Sequence, residues 1–507
     1  MNEDVLDRLR IAPAVPEPGS LNVARAPDES TDPILYWNAV ALEADRVSHT
    51  VMPNEQPGPV LSSRALAIVH LAMYDAYAGV VGDPANLPAY LPGLPAPAAG
   101  ASPGAAIAAA AHTALSALYP SQRPFFESAH RNAGLAGRGL NDGHAFGRQV
   151  AQRMLADRND DPSVSDAGYA ASQGRGAHRP DPDNPDQGFY APFYGARSKG
   201  FAITNRHELA APPFENAEYL AALRQVREKG IAPELIATLP PGASPRTPVE
   251  TLIGIFWAYD GALGLGTPPR LYNQIVREVA GAQGNDVTAN ARLFALVNAA
   301  MADAGILAWD QKYLHDFWRP VVGVREHDPS IGPAGTAGNA INPDGDPFWL
   351  PLGAPRTNGV GKNFTPNFPA YPSGHATFGA AALHMTRLFY GESGRCPDDL
   401  FNHLSFVSEE LNGVNKDVRG TVRPRHARSF PDGLWGMILE NAISRILLGV
   451  HWVFDAHAVD ENGNPDLNRD VSGEPIGGVP LGLGIAEDIF RAGHGKAPRK
   501  SNVPPRP

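Results

Sequence analysis

Cysteine is almost absent from this chain, because Cys396 is the only one among 507 residues. A single thiol excludes both an internal disulfide framework and a metal site built from several thiolates. Long apolar runs are also missing, since stretches such as residues 104–110 and 443–450 are far shorter than the ~18 residues that span a bilayer. The first residues are acidic and contain no apolar segment typical of a secretory signal. We therefore expect a soluble chain without a membrane segment, either cytoplasmic or exported by a non-standard route.

Positive charge is scarce as well, because 42 Lys and Arg residues against 53 Asp and Glu residues give a formal net charge of −11. Affinity for nucleic acid depends largely on Lys and Arg that neutralise phosphates, so we expect no nucleic-acid partner. Glycine and proline are abundant, with 52 and 50 residues, which indicates long ordered loops. A chain of this length exceeds one simple core, and we expect two packed units.

Helical periodicity dominates the sequence. Apolar residues recur at intervals of three to four, and no segment alternates with the period of two that is typical of strands. The sequence therefore predicts an all-α fold. The predicted helices cover residues 35–47, 60–77, 105–118, 144–156, 217–229, 248–263, 268–282, 286–316, 374–390, 400–411, 433–448 and 485–492.

Loop-like sequences indicate where the chain divides. A polar, proline-containing stretch covers residues 157–214, and a proline-rich joint covers residues 233–248. We predict an N-terminal helical unit over residues 1–240 and a C-terminal unit over residues 241–507. Another long loop, residues 326–370, separates two helices of the second unit, and loops of such length usually cover functional sites. The tail beyond residue 493 is expected to be loosely held.

The stretch AYPSGHATFGAA predicts an apolar helix that begins at Ser373, Gly374 and His375. The first turn of a helix has unpaired N–H groups and a partial positive charge, and a glycine lets an anion approach the backbone. Ser373 adds a hydroxyl group and His375 adds a titratable ring. This stretch alone is equally compatible with an ordinary serine cap, so both interpretations stay open at this point.

A second stretch, WDQKYLHDFWRP, contains the cations Lys312 and Arg319. A spacing of seven residues corresponds to about 700° of helical rotation, so one continuous helix would place both within roughly 20° of one face. A proline follows Arg319 and ends that helix. Solvated surface charges are the commoner explanation of such spacing. However, the neighbouring Trp309, Phe317 and Trp318 are large and apolar, which favours a pocket.

A third stretch contains Arg445 within the apolar sequence AISRILLGV, where a buried charge needs an anionic partner. His451 follows six residues later, on the wrong face of a continuous helix, but Gly449 allows a break that would bring the two together. Asp455 could accept the second ring N–H of His451 and fix its tautomer. A core salt bridge between Arg445 and some carboxylate is the alternative explanation.

Together the three stretches favour one site. Lys312, Arg319 and Arg445 supply positive charge, and Ser373 and Gly374 supply neutral hydrogen-bond donors. Two histidines remain for the chemistry of the site. Such a set suits a tetrahedral oxyanion.

The same stretches resemble the three-part signature of the superfamily that contains type 2 phosphatidic acid phosphatases and vanadium haloperoxidases. KYLHDFWRP, YPSGH and SRILLGVH correspond to its patterns K-x6-R-P, P-S-G-H and S-R-x5-H in the same order. NFPAYPSGHATFGAA and SRILLGVHWVFDA are similar to fungal-type vanadium chloroperoxidases, and SSRALAIVHLAMYDAY is similar to an early helix of bacterial relatives. The resemblance implies two four-helix bundles, with a vanadate site in the C-terminal bundle.

The resemblance also implies a role for each residue. His451 would bind vanadium directly, and His375 would hydrogen-bond the apical oxygen on the opposite side and act as acid and base. The vanadate oxygens would be held by Lys312, Arg319, Ser373, Gly374 and Arg445. Lys312 would in addition activate hydrogen peroxide. The implied activity is the oxidation of halide ions by hydrogen peroxide to hypohalous acid, which halogenates a small organic acceptor.

Halide preference depends on two aromatic residues. Trp309 and Phe368 fall where the chloroperoxidases of this superfamily have Trp and Phe, whereas the bromoperoxidases have His at the second position. A ring without a titratable proton beside His375 is expected to leave that histidine easier to protonate. The resemblance therefore favours chloride, with bromide and iodide also accepted. Simple packing of Phe368 against the helix start is equally compatible with the sequence.

Three other functions are compatible with parts of the sequence. A soluble acid phosphatase would use the same pocket, with His451 attacking phosphorus and His375 protonating the leaving group. Cys396 precedes a proline, as haem-ligating thiolates can, although GRCPDD is typical of a loop. An oxyanion-binding protein would leave both histidines idle. The sequence does not decide whether copies of the chain form a homo-oligomer.

Overall fold

The computed structural model describes residues 10–11, 32–336, 342–391, 400–402 and 404–506, and for residues 10 and 11 the backbone only. Helices dominate, so the predicted all-α class is confirmed. The helices are α1 (Pro33–Ser48), α2 (Gly58–Val81), α3 (Pro103–Leu118), α4 (Arg123–Arg131), α5 (Leu140–Asp157), α6 (Tyr194–Arg197), α7 (Ala217–Lys229), α8 (Pro248–Phe256), α9 (Pro268–Gln283), α10 (Val287–His315), α11 (Pro320–Arg325), α12 (Gly374–Gly391), α13 (Gly433–Leu447), α14 (Val453–Ala456) and α15 (Gly478–Ala492).

The described strands are two to four residues long and form three small sheets. They are β1 (Arg10–Ile11), β2 (Leu404–Val407), β3 (Ala427–Phe430), β4 (Ala458–Val459), β5 (Pro465–Asp466), β6 (Asp470–Val471) and β7 (Glu474–Pro475). In the first sheet β1 runs parallel to β2, and β2 runs antiparallel to β3. β4 pairs with β5, and β6 pairs with β7, both antiparallel.

The longest helix, α10, lies at the centre of the fold. The Asp286 side chain begins it by accepting a hydrogen bond from the Ala289 N–H at 2.7 Å. α10 packs against α2, α12 and α15, and almost every residue from 290 to 312 is buried. Within the described part of the chain, α10 alone is long and apolar enough to cross a membrane, and 94% of its apolar window is buried inside the fold. It therefore packs as a core helix of this fold.

Two glycines let α15 pack closely against the start of α12. A Cβ at Gly482 would lie 2.4 Å from the Thr377 carbonyl oxygen, and one at Gly478 would lie 2.6 Å from the Ser373 carbonyl oxygen. A larger residue at either position would push α15 away from the first turn of α12. Backbone approach of this kind is a common reason for glycine in a helix.

The helix predicted over residues 400–411 is wrong. In the described part of this segment, β2 (Leu404–Val407) is followed by a short 3-10 helix (Glu409–Leu411). β2 pairs with β3, so that Leu404 lies opposite Phe430. Here pairing with a distant segment outweighs the local helical spacing of apolar residues, because tertiary context readily overrides intrinsic propensity.

Other helix bounds also differ from the prediction. The helix predicted over residues 248–263 ends at Phe256, and the carbonyls of Phe256 and Ala258 accept hydrogen bonds from Ser408 and His375 instead of continuing a helical ladder. α15 begins seven residues earlier than predicted, and the short helices α4, α6, α11 and α14 were not predicted. The remaining predicted helices are confirmed to within a few residues at each end.

The C-terminal tail is held, contrary to the prediction. Arg506 Nε donates to Asp310 Oδ1 on α10 at 2.7 Å, and its Nη2 donates to Glu208 at 2.7 Å. The Ser501 N–H donates to the Phe201 carbonyl at 2.8 Å. Ion pairs and backbone hydrogen bonds thus fix residues that composition alone marks as loose.

The division of the chain near residue 240 stays a prediction. Contacts between the two halves run chiefly through α2, which packs against α3 and α5 on one side and α10 on the other. The halves are therefore joined along the length of a core helix rather than by a thin linker.

Asp303 on α10 provides a test of how this core is held together. Its buried carboxylate accepts the backbone N–H groups of Phe201, Ala202 and Ile203 at 2.6, 2.7 and 2.9 Å. Asp303→Ala would leave three buried donors unpaired, each at a cost of ~1–3 kcal/mol. We expect this variant to lower the free energy of unfolding by about 3 kcal/mol or more, measured by urea denaturation.

The matched control is Asp160→Ala, which removes an exposed carboxylate that pairs with Lys199 at 2.9 Å. Exposed ion pairs contribute about 0–1 kcal/mol, so this variant should unfold at nearly the urea concentration of the unmodified protein. Equal losses of stability in the two variants would contradict the special role of Asp303.

Candidate active site

A cavity of about 250 Å³ contains most of the predicted site residues. Those in its wall are Trp309, Phe368, Gly374, His375, Arg445 and His451. The first half of the chain contributes His49, Asn54, Pro57, Gly58, Pro59 and Tyr190. The sequence predicted a site in the C-terminal unit alone, and did not anticipate this contribution from the first half.

The first residues of α12 line the cavity, and the helix begins at Gly374 as predicted. The Ser373 N–H donates to the Asp455 carbonyl at 2.8 Å, and the Thr377 N–H closes the first turn on the Ser373 carbonyl at 3.0 Å. A Cβ at Gly374 would lie 3.4 Å from the Trp309 ring. Glycine at this position therefore keeps the backbone accessible from the cavity.

Lys312 lies in the last turn of α10 and is fully buried. Its ammonium group donates to the backbone carbonyls of Pro369 (2.8 Å), Ala370 (3.1 Å) and Pro372 (2.5 Å). These carbonyls belong to the segment that leads into α12, so the lysine joins two elements of the site. Burial and the nearby Arg319 hold the pKa of Lys312 well below its usual value.

Arg319 is not on the same helix as Lys312, which corrects the prediction that one helical face carries both. Asp316 adopts a left-handed conformation with φ of 45° and ends α10. Arg319 is then the residue that precedes the first turn of the short helix α11. A break in the helix, rather than helical spacing, therefore brings the second cation next to His451.

The guanidinium group of Arg319 is held by backbone carbonyls and by a histidine. Its Nε donates to the Phe368 carbonyl at 2.8 Å, and its Nη1 donates to the Val450 carbonyl at 2.7 Å. Nη1 also lies 2.9 Å from His451 Nε2. Burial lowers the pKa of Arg319 to about 9, because no carboxylate contacts it directly in the described structure.

Arg445, near the end of α13, forms a bidentate ion pair with Asp260. The Nη1–Oδ2 distance is 2.8 Å and the Nη2–Oδ1 distance is 2.7 Å. The sequence predicted an anionic partner for Arg445 but did not identify Asp260. Gly449 has φ of 74° and follows the end of α13, so the predicted break is present and His451 returns to the cavity.

His451 is held as a neutral ring. Its Nδ1 lies 2.7 Å from Asp455 Oδ2, which also accepts the Trp452 N–H at 3.0 Å. This pairing assigns the proton to Nδ1 and the lone pair to Nε2, which faces Arg319. Burial holds the pKa of His451 well below its usual value and raises the pKa of Asp455 to about 7.

His375 is also held as a neutral ring. Its Nε2 lies 2.6 Å from the Ala258 carbonyl, which can only accept, so Nε2 carries the proton and Nδ1 carries the lone pair. Burial, together with the charge of Arg445, lowers the pKa of His375 to about 3. Its backbone carbonyl accepts hydrogen bonds from the Tyr272 hydroxyl and the Asn441 amide at 3.1 and 2.8 Å.

Two cations of the site retain unused donors. Among the residues that the structure describes, Arg319 Nη2 and Arg445 Nε are buried without a hydrogen-bond partner. Unpaired buried donors and concentrated positive charge are costly unless an anion satisfies both. The donors therefore fit a small tetrahedral oxyanion such as vanadate. His451 Nε2 carries the nitrogen lone pair that a metal centre needs, and in this structure that lone pair faces the Arg319 Nη1–H.

Trp309 and Phe368 form one wall of the cavity, with ring centroids 4.8 Å apart. The Phe368 centroid lies 5.1 Å from Lys312 Nζ and 4.9 Å from the guanidinium carbon of Arg319. Phe368 therefore contacts both cations through its ring face. The Tyr190 carbonyl accepts the Trp309 indole N–H at 3.3 Å and extends the wall.

Besides the cavity residues of the first half, the sequence did not predict Asp260 and Ala258, which hold Arg445 and His375. Arg445 required a carboxylate, and this requirement was a signal for Asp260, but many acidic residues of the sequence satisfy it equally. Ala258 acts through its backbone and carries no sequence signal. Cys396, considered as a haem ligand, lies outside the described residues.

Two family models match the chain. One is described as the N-terminal domain of vanadium chloroperoxidase and matches residues 22–200, and the other is described as the second helical-bundle domain and matches residues 292–465. The vanadium chloroperoxidase of Curvularia inaequalis is 38% identical over 95% of this chain and 93% of its own length.

Solved structures share the fold at lower identity. A structure described as the first bacterial vanadium-dependent iodoperoxidase has a TM-score of 0.59 at 18% identity, covering 92% of this chain and 98% of that one. A holo-type bacterial vanadium-dependent chloroperoxidase has a TM-score of 0.58 at 14% identity, covering 89% and 96%. These two likenesses concern the fold. Given the 38% identity to the Curvularia protein over nearly the full length of both chains, this protein belongs to the vanadium chloroperoxidase family.

Proposed function

We propose that the protein is a vanadium-dependent haloperoxidase that oxidises halide ions with hydrogen peroxide to hypohalous acid. The observation that carries this proposal is the set of three buried cations near His451, namely Lys312, Arg319 and Arg445. One guanidinium donor of Arg319 and one of Arg445 have no hydrogen-bond partner among the described residues. The family relationship supports vanadate as the bound group. When bound, vanadate supplies a Lewis-acidic centre that activates hydrogen peroxide without changing oxidation state.

Lys312, Arg319 and Arg445 would hold the vanadate oxygens, together with the Ser373 hydroxyl and the Gly374 N–H. The cations are fixed by other contacts before the anion binds, since Arg445 is anchored on a carboxylate and Lys312 on three carbonyls. Such preorganised charge needs little rearrangement when negative charge develops. His451 Nε2 supplies the direct metal ligand, and Asp455 holds its ring in the required tautomer.

His375 acts as the general acid and base. Because the Ala258 carbonyl holds its Nε2–H, its Nδ1 is the atom that would accept a proton from hydrogen peroxide and later release it. Lys312 would contribute positive charge beside the bound group, which would make a bound peroxide more reactive towards a halide.

Chloride is the proposed preferred halide, and bromide and iodide are accepted because they are easier to oxidise. Trp309 and Phe368 support this preference, since their wall carries no ionisable group and keeps water from that side of the cavity. The hypohalous acid then halogenates a small organic acceptor.

Phosphatase activity of the vanadate-free protein is the second candidate function. The unprotonated His451 Nε2 beside Arg319 favours it, because the same arrangement allows attack on a phosphate ester held by the cations. His375 would then protonate the leaving group.

Reconstitution with orthovanadate tests the leading proposal. Metal-free protein should halogenate a phenolic dye with hydrogen peroxide and chloride or bromide only after orthovanadate is added. His451→Ala removes the nitrogen ligand, and we expect activity to fall by a factor of about 100 or more. A phosphate-ester assay on the same samples measures the competing activity.

His384→Ala is the matched control for this experiment. His384 lies on α12 like His375, but it pairs with Glu487 at 3.3 Å and does not line the cavity. This variant should keep its halogenating activity. Ester hydrolysis without any halogenation, in the presence or absence of vanadate, would favour the phosphatase instead.

Arg445→Lys tests the assignment of the cations. Lysine keeps the charge but cannot form the bidentate pair with Asp260 or present a guanidinium edge to the anion. We expect the affinity for vanadate to fall about 10- to 100-fold, measured by titrating activity with orthovanadate. The control Arg224→Lys alters an exposed pair with Asp344 and should bind vanadate normally. An unchanged affinity in Arg445→Lys would refute the assignment.

Phe368→His tests the halide preference. The new ring would place a polar, titratable group against Lys312 and Arg319 in the wall that Phe368 now keeps apolar. We expect kcat/KM for chloride to fall about 10-fold relative to bromide in the same variant. Bromide oxidation is the internal control for folding and vanadate binding. A constant ratio of the two halides would show that Phe368 only packs.

A further inference from the structure

The cavity of the candidate active site reaches the surface of the molecule at Asn54. Of the described residues that line the cavity, Asn54 is the exposed one, and the others are buried or half-buried. It belongs to residues 49–59, which follow α1, include the start of α2 and also place His49, Pro57 and Gly58 in the wall. We call residues 49–59 the rim segment and the opening at Asn54 the mouth of the cavity. A small molecule formed in the cavity therefore leaves past the rim segment.

Hydrogen bonds hold the rim segment in place. The Gly58 N–H donates to His49 Nε2 at 3.0 Å, so two residues of the wall are joined directly. The Glu55 N–H donates to Ser48 Oγ, also at 3.0 Å, and this bond ties the segment back to the end of α1. The rim segment therefore keeps a fixed position beside the cavity, and its exposed side chains stay at the mouth.

Met52 lies in the rim segment and is 86% exposed. It is two residues from Asn54, so the Cα atoms of these two residues are at most ~7 Å apart. Among the methionines that the structure describes, Met52 is the exposed one. The others are 0% exposed, namely Met73, Met154, Met301, Met385 and Met437. The accessible thioether of the described chain thus lies at the mouth of the cavity.

We propose that Met52 is a modification site, at which the enzyme's own hypohalous acid oxidises the thioether to a sulfoxide. The inference rests on the proposed haloperoxidase function, which supplies the oxidant. Methionine sulfoxide is a common product of oxidation, and it forms where the sulfur atom is accessible. Hypohalous acid that leaves the cavity passes Met52 before it is diluted in the solvent. This side chain therefore competes with the organic acceptor for the oxidant.

The oxidation is balanced by hypohalous acid and water alone. A sulfur lone pair forms a bond to the halogen while the halogen–oxygen bond breaks and hydroxide leaves. Water then adds its oxygen to the sulfur, the sulfur–halogen bond breaks, halide leaves and two protons are released, one of which neutralises the hydroxide. The sulfur loses two electrons and the halogen gains them, so each sulfoxide consumes one molecule of hypohalous acid. The apolar thioether becomes a polar group at the mouth.

Val81→Met provides the matched comparison, because it places a second exposed thioether far from the mouth. Val81 is 42% exposed and ends α2, the helix that begins with Gly58 in the rim segment. A rise of about 1.5 Å per residue puts the two ends of α2 ~35 Å apart. The vanadate-loaded variant is supplied with hydrogen peroxide and bromide without an organic acceptor. Peptide mass spectrometry then measures the sulfoxide at each of the two positions.

Reagent hypobromous acid added to the same variant measures how the two positions differ through exposure alone. Relative to that reference, we expect turnover to favour oxidation of Met52 over the introduced thioether about threefold or more, because the oxidant is formed beside Met52. Hydrogen peroxide without vanadate should oxidise either position much less than turnover does.

A second measurement does not depend on the Val81→Met variant. Equal amounts of active protein and of isotope-labelled His451→Ala are mixed, treated with orthovanadate and supplied with hydrogen peroxide and bromide. We expect about threefold or more sulfoxide at Met52 in the active copies than in the labelled copies, because each active copy forms the oxidant beside its own Met52. Reagent hypobromous acid should oxidise Met52 equally in both.

The proposal is overturned if Met52 stays unoxidised while the enzyme brominates a phenolic dye, or if either comparison gives the ratio found with reagent hypobromous acid. Oxidation of Met52 by hydrogen peroxide alone at the rate seen during turnover would overturn it as well. Failure of the haloperoxidase function has a different signature. Neither bromination of the dye nor sulfoxide formation would then occur with vanadate-loaded protein, although reagent hypobromous acid would still oxidise Met52.

Discussion

Buried positive charge without matching negative charge is the constraint on which the site depends. Lys312 and Arg319 are held by backbone carbonyls rather than by carboxylates, whereas Arg445 has Asp260. Carbonyl dipoles stabilise a cation partially and leave its charge available to a ligand. The proline-rich segment before α12 supplies most of these carbonyls, which explains why a long ordered loop is built into the centre of the molecule.

The site is also the place where residues from the two halves of the chain meet. α10 packs in the core along most of its length and carries Lys312 in its last turn. The position of the Lys312 ammonium group therefore depends on how α2 and α12 pack around this helix. Tyr190 and the segment at Pro57 close the cavity from the first half. Residues of the first half thus close a cavity whose candidate catalytic residues lie in the second half, and both halves are needed to form it.

The sequence predicts what is encoded locally. Each signature stretch is short, and the start of α12 and the break at Gly449 follow from residue types within it. Partners from distant segments were not predictable in the same way. Asp260 is 185 residues from Arg445, and Tyr190 is 119 residues from Trp309. β2 likewise depends on pairing with β3, and the position of Arg319 depends on Asp316 ending α10.

The ion pair between Arg506 and Asp310 has a consequence for the synthesis of the protein. Asp310 directly follows Trp309 on α10, and its partner Arg506 is 196 residues further along the chain. At ~5–20 residues per second, a ribosome needs about 10–40 s to make that intervening length. Throughout this interval the nascent helix lacks one of its final electrostatic restraints. This ion pair therefore forms only after nearly the whole chain has been made.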